Sequence, residues 1–431
     1  MNYQQALDYV FGYTDYEKLP MPHAMGDYDL RRVLELLERL GNPQSKPLSV
    51  HIGGTNGKGS TAAIMESILA GSGYRIGLYT SPHLVEFRER IRINGRFIDQ
   101  KYVTDFFTDV RDKFKAINPT FFEAVTALAF SYFRDEKVDL AIIETGLGGR
   151  FDATNVITPV VSVITNIGRE HTKHLGREIS QIAYEKAGII KNGVPVVTAV
   201  GHLEAGRVIR QTCKQRKSNL ISVFDETQWV IQDINDRNTE MNIFTRSQKY
   251  YNLRLTLPGR HQLENAICGI VAAEQAEPLS IKLTPTGAVT GFRDVKWPGR
   301  LQKFGKDPEI ILDVGHNPSA MKVLVEYFKE FYSDRYIIAV FGILADKDSN
   351  LMLTELGRIA DVIIITKPMT ERAADPEKLA RQASHLTSNF QVIPHVRDAV
   401  KTAIEHAKPT DVILITGSHY TVGEAMSQLD A

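Results

Sequence analysis

Cysteine is nearly absent: Cys213 and Cys268 are the two in 431 residues, far apart and in no metal-ligand spacing. That scarcity argues against a disulfide scaffold and a cysteine-built metal site, and it suits a reducing compartment. Both thiols are expected to serve as buried apolar filler. An excess of one charge is missing too. Lys plus Arg and Asp plus Glu are each 51, for a formal net charge of zero, so no surplus of positive charge is available to follow a phosphate backbone, and nucleic acid is a poor partner. No apolar run approaches the roughly 20 residues that span a bilayer. Met1 to Gly12 lacks the basic start and continuous apolar stretch of a signal peptide, so the expectation is a soluble, cytoplasmic protein. What remains, 43% hydrophobic and 24% charged residues, is ordinary globular composition, and the length suits two unequal domains.

Short runs rich in Val, Ile and Leu alternate with segments of helical period. Leu48 to Ile52, Arg75 to Tyr79, Asp139 to Glu144, Val160 to Thr165 and Val194 to Thr198 read as buried strands. This alternation predicts an α/β fold, a mainly parallel sheet wrapped by helices. A helix over Leu30 to Leu40, with Leu30, Val33, Leu34, Leu37 and Leu40 on one face, should stop at Gly41-Asn42-Pro43. Asn219 to Leu257 carries alternating patterns that predict a small antiparallel addition. After Trp297-Pro298-Gly299-Arg300 the strand and helix alternation restarts, with strands at Ile310 to Asp313, Tyr336 to Phe341, Val362 to Thr366 and Val412 to Thr416. The expected division is therefore an N-terminal domain over 1–296, a linker over 297–300 and a Rossmann-like domain over 301–431.

The first strand runs into His51-Ile52-Gly53-Gly54-Thr55-Asn56-Gly57-Lys58-Gly59-Ser60, followed by helix formers from Thr61 to Ala70. Glycines let successive backbone N–H groups turn toward one anion, the helix start adds partial positive charge, and Lys58 can neutralise outer phosphates. The strict Walker pattern is not met: its first glycine would fall at Ile52, and the residue after the lysine is Gly59. Glu144 ends a predicted strand, and Ser81 and His171 follow predicted strands, so all come to the edge where parallel sheets bind ligands; as oxygen and imidazole donors they could hold a metal near those phosphates. His171 and His174 stand three apart without a third soft ligand, which argues against zinc.

These residues resemble the folate branch of the Mur ligase superfamily, the folylpolyglutamate synthases. The resemblance runs through Gly54 to Ser60, Thr80-Ser81-Pro82-His83-Leu84, Glu144 to Arg150, Asp152 to Asn155, Glu185 to Lys191, His261 to Ala266, Trp297 to Arg300, Asp313 to Pro318 and Ile415 to Ser418, in that order and over nearly the whole chain.

The resemblance implies an ATP-dependent ligase that adds L-glutamate to folate through an acyl phosphate. It implies ATP held by Gly54, Thr55, Asn56, Gly57, Lys58, Gly59, Ser60, Asn265, Arg300 and Asp313. Two magnesium ions would be bound through Ser81, Glu144, His171 and a carbamylated Lys186, with room for a monovalent cation. Phe122, Glu123 and Asp152 would lie near the pterin, and His316 and Ser418 would border the glutamate. Lys58, Glu144, His171, Lys186 and His316 would carry the chemistry, in a monomer. Read from residues alone, Lys186 is a solvated helix lysine, Phe122 a core residue, and His316 and Ser418 capping or loop-anchoring groups. The block Gly149 to Asn155 looks more like enzymes that also add the first glutamate to dihydropteroate. A Mur-type ligase acting on a cell-wall precursor is the nearest rival. A guanine-nucleotide switch is disfavoured because Asn-Lys-x-Asp and Asp-x-x-Gly are both missing.

Overall fold

The computed structural model describes residues 1–15, 29–386 and 389–429. It is an α/β protein with two main sheets. The first has eight strands: β1 (Leu48–Gly53), β2 (Ile76–Tyr79), β3 (Ile91–Ile93), β4 (Arg96–Phe97), β5 (Leu140–Glu144), β6 (Val161–Ile164), β7 (Val196–Thr198) and β8 (Leu220–Ser222). Their spatial order is β4-β3-β2-β5-β1-β6-β7-β8. From β2 to β8 the pairing is parallel, while β3 and β4 form an antiparallel edge. Strands β1, β2, β5 and β6 are apolar and almost wholly buried, as expected where helices cover both faces.

One face packs on the helix Lys58–Gly71, in which Ala62, Ile64, Met65, Ile68 and Leu69 are all buried. A helix that is apolar around its circumference belongs inside, and this one is enclosed by the helices His261–Glu274 and Pro285–Asp294. The other face packs on the helix Phe121–Asp135, whose Val125, Leu128 and Phe133 are buried with Ile143 of the sheet. Each such side chain contributes about 1.5–3 kcal/mol on burial.

A separate antiparallel sheet holds β9 (Gln228–Ile234), β10 (Thr239–Phe244) and β11 (Lys249–Leu255). The addition expected over 219–257 is therefore present, but its first residues differ: Leu220–Ser222 pairs in parallel with β7 and extends the main sheet. The last sheet contains β12 (Gln302–Phe304), β13 (Glu309–Asp313), β14 (Ile337–Phe341), β15 (Val362–Lys367), β16 (Phe390–His395) and β17 (Val412–Thr416), in the order β12-β13-β17-β14-β15-β16. All its pairs are parallel except β12 with β13. Among the described residues no helix is long and apolar enough to cross a membrane.

The helix expected at Leu30 to Leu40 spans Arg31–Arg39, and its stripe is rotated: Val33, Leu36 and Leu37 are buried, whereas Leu34 is 45% exposed. Gly41 and Asn42 take positive φ and end it as expected. The hairpin β3–β4 was not expected, although Asn94-Gly95, both at positive φ, is the turn signal for such a pair.

Candidate active site

The carboxyl ends of both main sheets open onto a single cavity of about 1670 Å³. On the first-sheet side, β1 ends in the loop Gly54–Gly57 and the helix starts at Lys58. Gly57 has φ +80 and caps that helix without a side chain, leaving its first N–H groups directed outward. A Cβ there would come within 2.2 Å of Asn265 Oδ1, so only glycine fits. The loop is fixed from behind: Asn56 N–H donates to Asn166 Oδ1 at 2.8 Å, and Thr165 Oγ1 donates to the Asn56 carbonyl at 2.7 Å. Lys58 Nζ donates to the Thr55 carbonyl at 3.3 Å and stands 3.9 Å from Glu144 Oε1.

Glu144 ends β5 and is 5% exposed. Burial pushes its carboxyl up to about 7, against the pull of Lys58. The Ser81 N–H donates to its Oε2 at 3.3 Å. Burial, followed by the charge of Lys347, pushes the His171 imidazole down to about 3, so it stays neutral with a lone pair to offer. Lys186 is 4% exposed, and burial, followed by Lys58, lowers its amine to about 7. It donates to the Gly54 carbonyl at 2.7 Å. It is thus no solvated lysine, and it lies behind the phosphate loop rather than among the residues lining the cavity.

Phe122, Glu123 and Asp152 line another part of the cavity with Arg32 and Phe151. Phe122 is half-buried, its ring close over Gly146. Glu123 caps its own helix by accepting from Thr120 N–H and also accepts from Arg32 Nε at 2.7 Å. Asp152 accepts from Leu147 N–H at 2.8 Å and from the Thr154 hydroxyl at 2.5 Å. The Thr154 oxygen in turn lies 2.8 Å from Nε2 of the buried His51. Burial raises the Asp152 carboxyl, and the Thr154 bond opposes the rise.

From the other sheet come Arg300, Asp313, His316 and Ser418, all lining the same cavity. Asp313 accepts from Gly315 N–H at 2.8 Å and Leu301 N–H at 3.1 Å, which ties the end of β13 to the connecting segment. Burial raises its carboxyl against Arg300. Ser418 accepts from Thr421 N–H, so it caps the helix His419–Leu429 as well as facing the cavity. His316 Nδ1 is 2.9 Å from the Val314 carbonyl, and its Nε2 is 2.9 Å from Glu170 Oε1.

Glu170, Lys347, Asn317 and Ser319 also belong to this site, although none was expected there from the sequence. Lys347 Nζ meets Glu170 Oε1 at 3.0 Å. Burial would push the Glu170 carboxyl up, yet Lys347 and His316 hold it well below its ordinary value. Asn317 caps the helix Pro318–Phe331 and donates to Asn56 Oδ1 of the phosphate loop at 2.8 Å. The rule that selected Glu144 and Ser81, that ligands gather where parallel strands end, also marks Asp346-Lys347 after β14 and Glu170 after β6. Among the described residues no three His, Cys, Asp or Glu side chains cluster as a metal site.

Two family models match the chain: the Mur ligase middle domain over residues 52–273, and the Mur ligase, glutamate ligase domain over 299–419. The dihydrofolate synthase/folylpolyglutamate synthase of Bacillus subtilis is 35% identical over 99% of both chains. The folylpolyglutamate synthase of Lacticaseibacillus casei is 34% identical over 97% of both. The structure of E. coli FolC in complex with DHPP and ADP superposes with a TM-score of 0.89 at 28% identity, covering all of this chain and 98% of that one. With a nucleotide-type loop, a buried carboxylate and residues of both sheets around one cavity, this chain is a ligase of the Mur ligase family and belongs to its folylpolyglutamate and dihydrofolate synthase branch.

Proposed function

We propose that the protein uses ATP to join L-glutamate to the terminal γ-carboxylate of a reduced folate, and that it also adds the first glutamate to 7,8-dihydropteroate. The observation that carries this reading is the convergence on one cavity of Lys58 and Glu144 from one sheet with Arg300, Asp313 and His316 from the other. Such an arrangement suits a reaction that brings three substrates together. The relatives' names, and the DHPP and ADP bound to E. coli FolC, support the choice of substrates over a cell-wall precursor.

In this reading the N–H groups of Gly57 to Ser60 and the Lys58 ammonium bind the ATP phosphates, with Gly54, Thr55 and Asn56 shaping the turn. Asn265, Arg300 and Asp313 hold the rest of the nucleotide. Phe122, Glu123 and Asp152 bind the pterin end of the acceptor, whose carboxylate oxygen attacks the γ-phosphorus as the bond to ADP breaks. The amino group of glutamate, bordered by His316 and Ser418, then attacks the acyl carbon. The C–O bond to phosphate breaks, the nitrogen gives up a proton that leaves with the phosphate, and an amide remains. Because acyl phosphates hydrolyse readily, closure about 297–300, between domains 1–296 and 301–431, would exclude water during the transfer.

Magnesium would be held by Ser81, Glu144 and His171, which line the same cavity and offer a hydroxyl, a buried carboxylate and a neutral imidazole, and when bound would offset charge on the phosphates. Lys186 is proposed to be carbamylated. Its amine, lowered to about 7, is in good part neutral, as attack on CO2 requires; the nitrogen would bond the carbon and release a proton, and the carbamate would be an oxygen ligand for a second ion. A monomer acting in the cytoplasm completes the proposal.

The test is product analysis by mass spectrometry with ATP, magnesium and L-glutamate, offering tetrahydrofolate, dihydropteroate and a muramoyl precursor separately. Glutamate added to both pterin compounds is the expected result. Addition to the muramoyl compound alone would overturn the reading.

A further inference from the structure

We propose that Glu170 is an internal stand-in for a substrate carboxylate: it occupies the receptor that a carboxylate of the incoming amino acid needs, and the amino acid binds by displacing it. This rests on the ligase reading above.

Two side chains bond one oxygen of Glu170, and a third ring stands close to it. His316 Nε2 lies 2.9 Å from Oε1, Lys347 Nζ 3.0 Å and His171 Nε2 3.8 Å. They come from different parts of the chain: Glu170 and His171 follow β6 of the first sheet, His316 follows β13 and Lys347 follows β14. All four line the cavity. The Glu170 and Lys347 side chains are only 7% and 9% exposed, so this is a shielded charge pair, not a surface bridge worth little.

A plain tether between the two sheets would explain the Lys347 bond alone. It does not explain why the bond is made inside the substrate cavity, or why His316, expected to border glutamate, turns to the same oxygen. Charge points the same way. L-Glutamate brings two carboxylates, whereas Ser418 carries no charge and already caps a helix. The permanent cation nearest in role to His316 is Lys347, which shares its acceptor. Arg372, on the same wall, pairs with Asp346 at 2.8 Å. A buried ammonium without a carboxylate is costly. Glu170 therefore supplies the carboxylate that a buried Lys347 needs and aims it, and exchanging one carboxylate for another conserves the charge of the site.

An internal competitor lowers apparent affinity by the fraction of time it holds the receptor, which sets the test. Glutamate KM and ATP KM are measured by product formation for the wild type, Glu170→Ala, Glu170→Gln, Lys347→Met and the double variant Glu170→Ala/Lys347→Met. The expected result is a fall in glutamate KM of at least about fivefold for Glu170→Ala, with a smaller fall for Glu170→Gln, whose amide still fills the space. Lys347→Met should raise glutamate KM by about tenfold or more, and in its background Glu170→Ala should give no fall. A glutamate KM that rises or stays constant in the Glu170 variants would make the residue a tether and overturn the proposal. A change that moves ATP KM equally would assign Glu170 to the nucleotide site through His171, with the same consequence. If Glu170→Ala does not fold, Glu170→Gln decides. Absence of product from the wild type would defeat the ligase reading, whereas normal product without the predicted pattern defeats only this inference.

Discussion

Trp297 lies against Gly59 so closely that a Cβ on the glycine would come within 2.6 Å of the indole. The same ring takes the Arg92 guanidinium at 4.8 Å from its centre. The connecting segment between the two main sheets is thereby packed onto the first turn of the phosphate-loop helix. Gly59→Ala must push the indole or the helix start aside, at a cost of about 1–3 kcal/mol. The expected outcome is ATP binding weakened by roughly tenfold, read by calorimetric titration. Unchanged affinity would show that the contact yields without disturbing the loop.

Much of this architecture was legible because the strands are short apolar runs at the carboxyl ends of which the motifs sit. Glu144 at the end of β5 and the glycines after β1 followed from that rule directly. Other features were hidden for physical reasons. Leu34 and Leu36 are both apolar and flank Val33 and Leu37 on opposite sides of the helix, so the sequence could not say which one joins the core stripe; packing on the neighbouring helices leaves Leu34 in solvent. Strand β16, Phe390–His395, is only half-buried at a sheet edge and lacks the apolar density of β14. Lys186 looked like a surface residue because one turn of helix does not reveal that its far side meets the Gly54 carbonyl. The partnership of Glu170 with Lys347 joins residues 177 apart, and spacing along one chain carries no sign of it.

His51 makes a prediction about acid stability. It is fully buried, and burial lowers its imidazole from an ordinary value near 6.5 to about 3. A lowered value means that the unfolded chain takes up the proton first as pH falls. The stability associated with the neutral ring is complete above about pH 6.5 and declines toward pH 3, by at most about 1.4 kcal/mol per unit. Between pH 7 and pH 5 His51 should account for about 2 kcal/mol of the loss. Urea unfolding of the wild type and His51→Gln at both values should show the variant losing less by that amount. Equal losses would mean that His51 is charged in the fold.

The two cysteines are expected to be inert in the native protein. Burial pushes the Cys213 thiol up to about 11 and raises Cys268 further, with the charge of Glu264 adding to the effect. Both thiols are free and buried, so little thiolate forms at pH 8 and little of it is reachable. A colorimetric thiol reagent should react with neither in the folded chain and with both in denaturant. Rapid native labelling would place a thiol at the surface.

Lys58 separates binding chemistry from folding. Its side chain is 18% exposed, donates to the Thr55 carbonyl and stands 3.9 Å from Glu144. Its removal opens no core cavity, so Lys58→Ala should shift Tm by no more than about 2 °C. Catalysis should suffer far more, because the ammonium is a preorganised charge directed at the phosphates, and loss of such a group costs about 100- to 1000-fold in kcat. Lys58→Arg retains the charge but carries it on a planar fork that the tight turn from Gly54 to Gly57 is not shaped to receive, so it should recover only part of the rate. Phosphate release measured with and without glutamate separates the outcomes. A Lys58→Ala enzyme that turns over at the wild-type rate would remove the loop from the reaction, whereas a lost rate accompanied by a lowered Tm of many degrees would make Lys58 a structural residue instead.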